Sequence, residues 1–398
     1  MFKDLSVTPP DPILGLSQLF ADDPNPNKVG LTVGVFQDAS GQTPILPSVK
    51  TAEQELLARQ ASKAYIGQAG DPAYLDGMRT LLLGDTLAAE TRQRVELLQT
   101  PGGCGAVRIG AELAQMATRG RIWVSTPTWA NHYPLLEAAG LRVFEYPYYD
   151  VAAGEIDFEA MLIALGRAEP EDLVLLHGGC HNPTGADLTE TQWDQVISLC
   201  AERTLIPFID NAYQGFAYDL DRDAYGIRQA VANLPTVLVA ASCSKNFGLY
   251  RERTGALLMA MDSAATAAAA CSQSKSLARR SYTMAPYHGG GIAGFILGSA
   301  ELRAQWTEEV AAMRGHLDRM RIQLAEALAA RQAPRDFSFI ATQRGMFSLL
   351  GLSQEQVLKL REDYGIYALG SSRINVAGLA DSNIDYVADG IVSVLRDS

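Results

Sequence analysis

The sequence has little that suits a membrane, a nucleic acid or a disulfide scaffold. No apolar run approaches the roughly 20 residues needed to span a bilayer, and the alanine-rich patch at 264–271 is far too short. Basic residues are in the minority, 33 Lys plus Arg against 45 Asp plus Glu, for a net charge of −12. That is the wrong sign for a surface that neutralises phosphate backbones. The five cysteines are odd in number and widely spaced, with no CxxC pair. This usage predicts reduced thiols in a cytoplasmic protein. Neither the cysteines nor the five histidines cluster at zinc-ligand spacing. "MFKDLSVTPP" lacks the basic-then-apolar order of a secretory leader. Internal repeats, low-complexity linkers and charge blocks are also missing.

What remains is the composition of an ordinary globular enzyme-sized chain: 398 residues, 47% hydrophobic and 20% charged. That length accommodates two or three domains, or one large core with a smaller appendage. From about residue 100 to 260, short apolar runs alternate with helical patterns. "RIWVS" (121–125), "RVFEY" (142–146), "DLVLLH" (172–177), "IPFID" (206–210), "TVLVAAS" (236–242) and "GALLMAM" (255–261) read as strands. Helices are expected at 105–118, 129–139 and 189–203. In the last, Trp193, Val196, Ile197, Cys200 and Ala201 fall on one face, and Thr189 with Gln192 forms a capping-box signature. The alternation predicts an α/β protein with a mostly parallel sheet covered by helices, whose ligands bind at the carboxyl ends of the strands. A long helix at about 300–330 should lead out of it. Shorter strands in "MFSLLGL", "GIYAL" and "RINVAGL" and a last helix from about 382 suggest a smaller domain that also takes in the N-terminal arm.

Four stretches hold residues capable of chemistry. "TPGGCGAVRIGAEL" (100–113) is a glycine-rich turn opening a helix, where free N–H groups bind anions. It is neither GxGxxG nor a Walker sequence, and alone it reads equally well as a plain strand–helix turn. In "HGGCHNPTGADLT" (177–189), His177 and His181 lack a third metal-ligating partner. Asn182 before Pro183 reads as a fixed turn that aims an amide. In "FIDNAYQGF" (208–216), Asp210 ends an apolar strand, so its carboxylate must be paired or must stabilise a cation. Tyr213 follows three residues later. In "SCSKNFGLYRERTGALLMAM" (242–261), Lys245 sits just past a strand end with Arg253 nearby. A lysine with a lowered pKa can form a Schiff base with a carbonyl, although a lone lysine in a polar loop is usually solvated. Together these features match what pyridoxal phosphate requires: a Schiff-base lysine, a carboxylate for the ring nitrogen, a phosphate site and a donor to the ring oxygen.

In combination and order, "HNPTG", "DNAYQGF" and "SKNFGLYRERTG" resemble the fold-type I, class I aminotransferases, specifically the bacterial aspartate and aromatic amino-acid aminotransferases. The likeness runs from "DPILGL" at 11–16 to "SSRINVAGL" at 371–379. It implies a fold-type I transferase with a mostly parallel seven-stranded sheet in a large domain, 45–310. The arm 1–44 and residues 311–398 would form a smaller α+β domain. It implies that Lys245 holds pyridoxal phosphate as a lysine aldimine and carries protons during a ping-pong transamination. Asp210 would pair with the ring nitrogen, with His132 of "PTWANH" behind it and Trp129 stacked on the ring. Asn182 and Tyr213 would bind the ring oxygen. Gly103, Cys104, Ser242 and Arg253 would cradle the phosphate, reached also by Tyr65 of a second subunit. Arg373 would clamp the substrate α-carboxylate, and Arg279 of the other subunit a distal carboxylate. Gly34 and Phe347 would line the substrate cleft. The shared sites imply a homodimer, and the partners implied are amino acids and 2-oxo acids.

Several positions depart from the pattern. Cys104 stands where relatives usually have Thr or Ser, Phe36 where Tyr is common, and Met284 where a polar residue is usual. Arg280 beside Arg279 leaves open which arginine faces the substrate. Val35 and Thr43 are similar to aspartate-preferring members, whereas Ala64 and Met284 are less polar and could admit an aromatic ring. The expected activity is aspartate or glutamate transamination with 2-oxoglutarate or oxaloacetate. The alternatives are an aromatic aminotransferase and, further off, a pyridoxal phosphate lyase or decarboxylase.

Overall fold

The six apolar runs read from the sequence and a seventh segment that it did not reveal, "VELLQTP", form the strands of one sheet: β1 (Val95–Pro101), β2 (Arg121–Thr126), β3 (Arg142–Pro147), β4 (Leu173–His177), β5 (Ile206–Asn211), β6 (Val237–Ser242) and β7 (Thr254–Ala260). This computed structural model describes Phe2, residues 5–7, 12–86 and 88–397. Of the expected arm, Met1, Lys3, Asp4 and residues 8–11, including Asp11 of "DPILGL", lie outside the described residues. Across the sheet the order is β1-β7-β6-β5-β4-β2-β3. From β6 to β3 all neighbours are parallel, and β7 alone runs antiparallel to both β6 and β1. The sheet is thus the mostly parallel one expected. Strands β6 and β7 are buried at every position, so they read as continuous apolar runs rather than alternating ones.

Helix α1 (Gly102–Ala117) starts directly at the end of β1. Helix α2 (Glu190–Arg203) has the predicted capping box, with Thr189 and Gln192 bonding reciprocally. It buries Trp193, Val196, Ile197 and Cys200, but Ala201 is exposed. Eight residues past Trp193 the helix has turned about 80° beyond it, which carries Ala201 off the buried stripe. The expected helix at 129–139 is shorter, His132–Ala138. Helices α3 (Ala264–Ser281) and α4 (Ala300–Ala330) follow β7.

The chain divides into two compact units. The larger comprises Thr43–Gly315 and Gln343–Gly345. Its core packs Val107 and Ile109 of α1 with Ile122, Leu175, Phe208, Leu238 and Leu257 of the strands. The three-residue return is tied in by Arg344 N–H, which donates to the Gly185 carbonyl at 2.7 Å. The smaller unit comprises Met1–Gln42, His316–Thr342 and Met346–Ser398. It has a parallel pair, Val29–Gly30 with Ile366–Tyr367, and an antiparallel pair, Phe347–Leu349 with Arg373–Asn375. Its core gathers Leu31, Leu324, Leu350, Ile374 and Ile391. The strand expected in "RINVAGL" stops at Asn375 and becomes a 3₁₀ turn, Val376–Gly378. Asn375 causes the break: its side chain accepts from Ala377 N–H and donates to the carbonyls of Val33 and Val35. Among the described residues no helix is long and apolar enough to cross a membrane.

Candidate active site

The carboxyl ends of β4 and β5 place His177 and Asp210 in register. Asp210 is 9% exposed and His132 fully buried. His132 Nε2 lies 3.2 Å from Asp210 Oδ2, and its Nδ1 lies 2.8 Å from Thr128 Oγ1. Thr128 Oγ1 in turn is 3.0 Å from His177 Nε2. Burial alone would raise the Asp210 carboxyl. The hydrogen bond with His132 and the electrostatic pull of the neighbouring His132, His177 and Lys245 outweigh it, so the group titrates below its ordinary range. Burial, reinforced by His132, pushes His177 down to about 3 against the opposing pull of Asp210. Burial and the neighbouring imidazoles hold His181 well below its ordinary value. His181 is satisfied by Ser125 and Thr184 hydroxyls at 3.0 and 2.9 Å and stacks on Tyr148. These two imidazoles are therefore neutral packing and hydrogen-bonding groups. Among the described residues, no cluster of three or more His, Cys, Asp or Glu is placed to hold a metal.

Lys245 is half-buried rather than solvated. Its Nζ lies 4.8 Å from the centroid of the Tyr213 ring, and its carbonyl accepts from Gly248 N–H at 2.9 Å, closing a turn. Tyr213 is 6% exposed, as is Asn182, whose bond to Pro183 is cis. Trp129 sits edge-on to His132, with ring centroids 5.2 Å apart, and its carbonyl accepts from His132 N–H.

The glycine turn forms a cradle. Gly102 has φ +71°, and a Cβ there would lie 2.5 Å from Arg253 Nη2. A Cβ on Gly103 would lie 3.1 Å from Ser242 Cβ. One on Gly255 would lie 2.4 Å from the Gly102 carbonyl carbon. The first turn of α1, with its unpaired N–H groups, is thus packed against a hydroxyl and a guanidinium. Cys104 belongs to the same group, since its thiol feels Arg253, Asp210 and Lys245. Burial pushes that thiol up, Arg253 and Lys245 only partly offset the rise, and it keeps its proton at neutral pH. A phosphate cradle, an ionised buried carboxylate for a protonated ring nitrogen and an amine for an aldehyde suit pyridoxal phosphate.

In the smaller unit, Arg373 is 3% exposed. Its Nη2 donates to the Thr32 carbonyl at 2.8 Å, and its guanidinium lies 4.1 Å from the centroid of the Phe347 ring. A Cβ on Gly34 would come within 3.0 Å of Phe347 Cζ, so glycine there leaves the ring its place. Phe36 packs edge-on to His316 at 5.8 Å. Tyr65 and Arg279 stand apart from the buried group around Lys245: Tyr65 is 88% exposed. Arg279 and Arg280 are both exposed in the last turn of α3. Ala64, Tyr65 and Met284 line one cavity of about 960 Å³ with Tyr282 and Tyr287. Thr128, which links the two imidazoles, is the residue that sequence reasoning passed over. Its place inside the motif "PTWANH", directly before Trp129, was the available signal.

The family model described as aminotransferase class I and II matches residues 26–391. The aspartate aminotransferase of Salmonella typhi is 46% identical over 396 residues, 99% of this chain and 100% of the relative. The aromatic-amino-acid aminotransferase of Paracoccus denitrificans is 45% identical over 395 residues, again 99% and 100% of the two chains. The crystal structure of the aromatic-amino-acid aminotransferase from Burkholderia pseudomallei, covalently bound to pyridoxal phosphate, superposes with a TM-score of 0.96 at 43% identity, covering 99% of each chain.

Proposed function

The chain belongs to the class I and II aminotransferases, and from that membership we propose a pyridoxal-phosphate-dependent transaminase. It moves amino groups between aspartate or glutamate and a 2-oxo acid, 2-oxoglutarate or oxaloacetate, in a ping-pong cycle. One observation carries the reading. Asp210, a buried carboxylate held below its ordinary pKa, shares a site with Lys245 and with the cradle of Gly103, Ser242 and Arg253.

The cofactor, when bound, supplies an aldehyde and an electron-withdrawing ring. Arg253, the Ser242 hydroxyl and the N–H groups of Gly103 and Cys104 would hold its phosphate. Asp210, ionised at neutrality, keeps a proton on the ring nitrogen, with His132 fixing the carboxylate's orientation. Asn182 and Tyr213 would hold the ring oxygen, and Trp129 would shield the ring from water. Lys245 Nζ takes the proton from the substrate Cα and returns one as general acid. Arg373 binds the α-carboxylate in bidentate fashion, its guanidinium already held by Thr32 and backed by Phe347.

Tyr65 and Arg279 act in the site of a second copy of the chain, related by a two-fold axis. Support comes from the exposure of Tyr65 and of apolar Leu57 and Ile45, 79% and 54%, surface that a partner would cover. None of the five cysteines is in a disulfide, which supports a cytoplasmic enzyme. Steady-state rates with aspartate, tyrosine and phenylalanine as donors to 2-oxoglutarate test the reading. The absence of any oxaloacetate from aspartate overturns the dicarboxylate assignment, and full activity in Lys245→Ala overturns the lysine's role. A second reading, an aromatic aminotransferase, is favoured by the placement of Ala64 and Met284 beside Tyr65 in one cavity. Their apolar side chains suit a ring better than a carboxylate.

A further inference from the structure

The turn that carries Lys245 is anchored at its start by the sheet, where Cys243 N–H donates to the Thr254 carbonyl at 3.0 Å. Beyond the lysine it is anchored by two residues that have no part in the chemistry above. Asn246 is 3% exposed, and its Nδ2 donates to the Gln214 carbonyl at 3.2 Å. Gln214 directly follows Tyr213 and is itself braced. Its Nε2 donates to the carbonyls of Leu81 and Leu220 at 2.9 and 2.7 Å, and its Oε1 accepts from Asn211 at 2.9 Å. On its other side, the Asn246 carbonyl accepts from Trp306 Nε1 at 2.7 Å. The Trp306 ring stacks on Phe247 at 4.2 Å with an interplanar angle of 13°. Both rings are buried, at 0% and 1% exposure.

Asn246 is therefore the joint between the Lys245 turn and the Tyr213 turn, and Trp306 fixes that joint from α4. The orientation of the amide is set by its partner, since a flipped side chain would oppose two carbonyl oxygens. Asn246 Oδ1 is left buried without a hydrogen-bond partner. An apolar residue would relieve that oxygen but take the donor from the Gln214 carbonyl; the amide accepts one unsatisfied atom in order to tie the two turns together. The two turns it joins are the ones that carry Lys245 and Tyr213, whose amine and ring centroid lie 4.8 Å apart.

We propose that Asn246 and Trp306 are positioning residues for Lys245: they fix the amine against Tyr213 and thereby set its proton affinity and its reach to the substrate Cα. The inference rests on Lys245 being the cofactor lysine. The test uses the holoenzyme with Asn246→Ala and, as the milder change that keeps the stack and removes only the N–H donor, Trp306→Phe. Two readouts are needed: the pH midpoint of the visible absorbance of the lysine-bound cofactor, and the separate values of kcat and KM for aspartate. In both variants the midpoint should move by about half a pH unit or more. Turnover should fall roughly 10- to 100-fold, as for a catalytic group displaced by a fraction of an ångström, while KM stays within about twofold. The double variant should lose less than the product of the single losses, because both changes act on one turn. An unmoved midpoint with unchanged kcat, or losses in kcat, KM and thermal stability together with an unmoved midpoint, overturns the proposal. A wild-type protein that shows no such absorbance even with added cofactor overturns the underlying reading of Lys245 instead.

Discussion

Replacing Cys104 with serine should tighten the grip on pyridoxal phosphate. The thiol sits in the first turn of α1, among Arg253, Lys245 and Asp210, and burial keeps it protonated near neutral pH. The exchange therefore compares two neutral donors with no change in charge. A thiol donates weakly and a hydroxyl well, and a hydrogen bond to a charged acceptor is worth about 1.5–3 kcal/mol. Arg253, Ser242 and the helix N–H groups already share the phosphate, so the lower end applies. About 1.5 kcal/mol corresponds to roughly a tenfold lower Kd. The measurement is equilibrium dialysis of the cofactor at pH 7.5, made in a Lys245→Ala background so that only the non-covalent hold is read. Cys104→Ala in the same background should stay within about twofold of the parent, because the thiol contributes little. A serine variant no tighter than the cysteine parent, or an alanine variant about tenfold weaker, would refute the reasoning.

Four further outcomes are expected. Arg279→Ala should weaken aspartate by about 2–5 kcal/mol in kcat/KM while sparing phenylalanine, as for the loss of one partner of a buried charge pair. The same pattern in Arg280→Ala instead would move the role to its neighbour. Equal mixtures of Lys245→Ala and Arg279→Ala, refolded together, should regain about a quarter of wild-type activity if each site draws on both subunits, and none if sites are self-contained. Stability should decline as pH falls from 6.5 towards about 3 on account of His177, in urea titrations at several pH values. The unfolded chain protonates this imidazole below its ordinary value while the folded protein does not, so acid favours unfolding; His177→Gln should flatten that slope. Arg321 is fully buried and donates to the Ile340 and Phe347 carbonyls. Arg321→Met should cost about 2–5 kcal/mol of unfolding free energy, since two buried acceptors lose their donor. A loss below about 1 kcal/mol would contradict this.

The parts of the molecule legible in the sequence are those whose signal is local. Strands β4 to β7 were readable because both faces of each are covered, which leaves uninterrupted apolar runs ended by chemically loaded residues such as Asp210 and Ser242. The capping box of α2 was readable because both partners lie within one turn. Asp210, Asn182, Tyr213 and Lys245 became legible only as a set, since each alone has an ordinary structural use. Contacts made across long stretches of chain left no local trace. Trp306 meets Asn246 from 60 residues away, and Gln343–Gly345 returns to the larger unit between two segments of the smaller. The break after Asn375 was hidden because its cause is a tertiary bond to residues more than 300 positions distant.

Strand β7 shows what a single reversal of direction accomplishes. Were it parallel to its neighbours, its first residues would lie at the amino edge of the sheet, about 20 Å from the site for a strand of this length. Running backwards, it returns the chain to the edge it has just left, with Gly255 opposite Ser242. Arg253 thus arrives beside the hydroxyl that closed the previous strand. The eleven residues between Ser242 and Thr254 form a clasp hinged on both sides by strands buried throughout. Its outer arc is Tyr250–Glu252, part-exposed or exposed, beyond the buried Leu249. That arc is the place where reach and access could be redesigned without dismantling the anchor of the lysine.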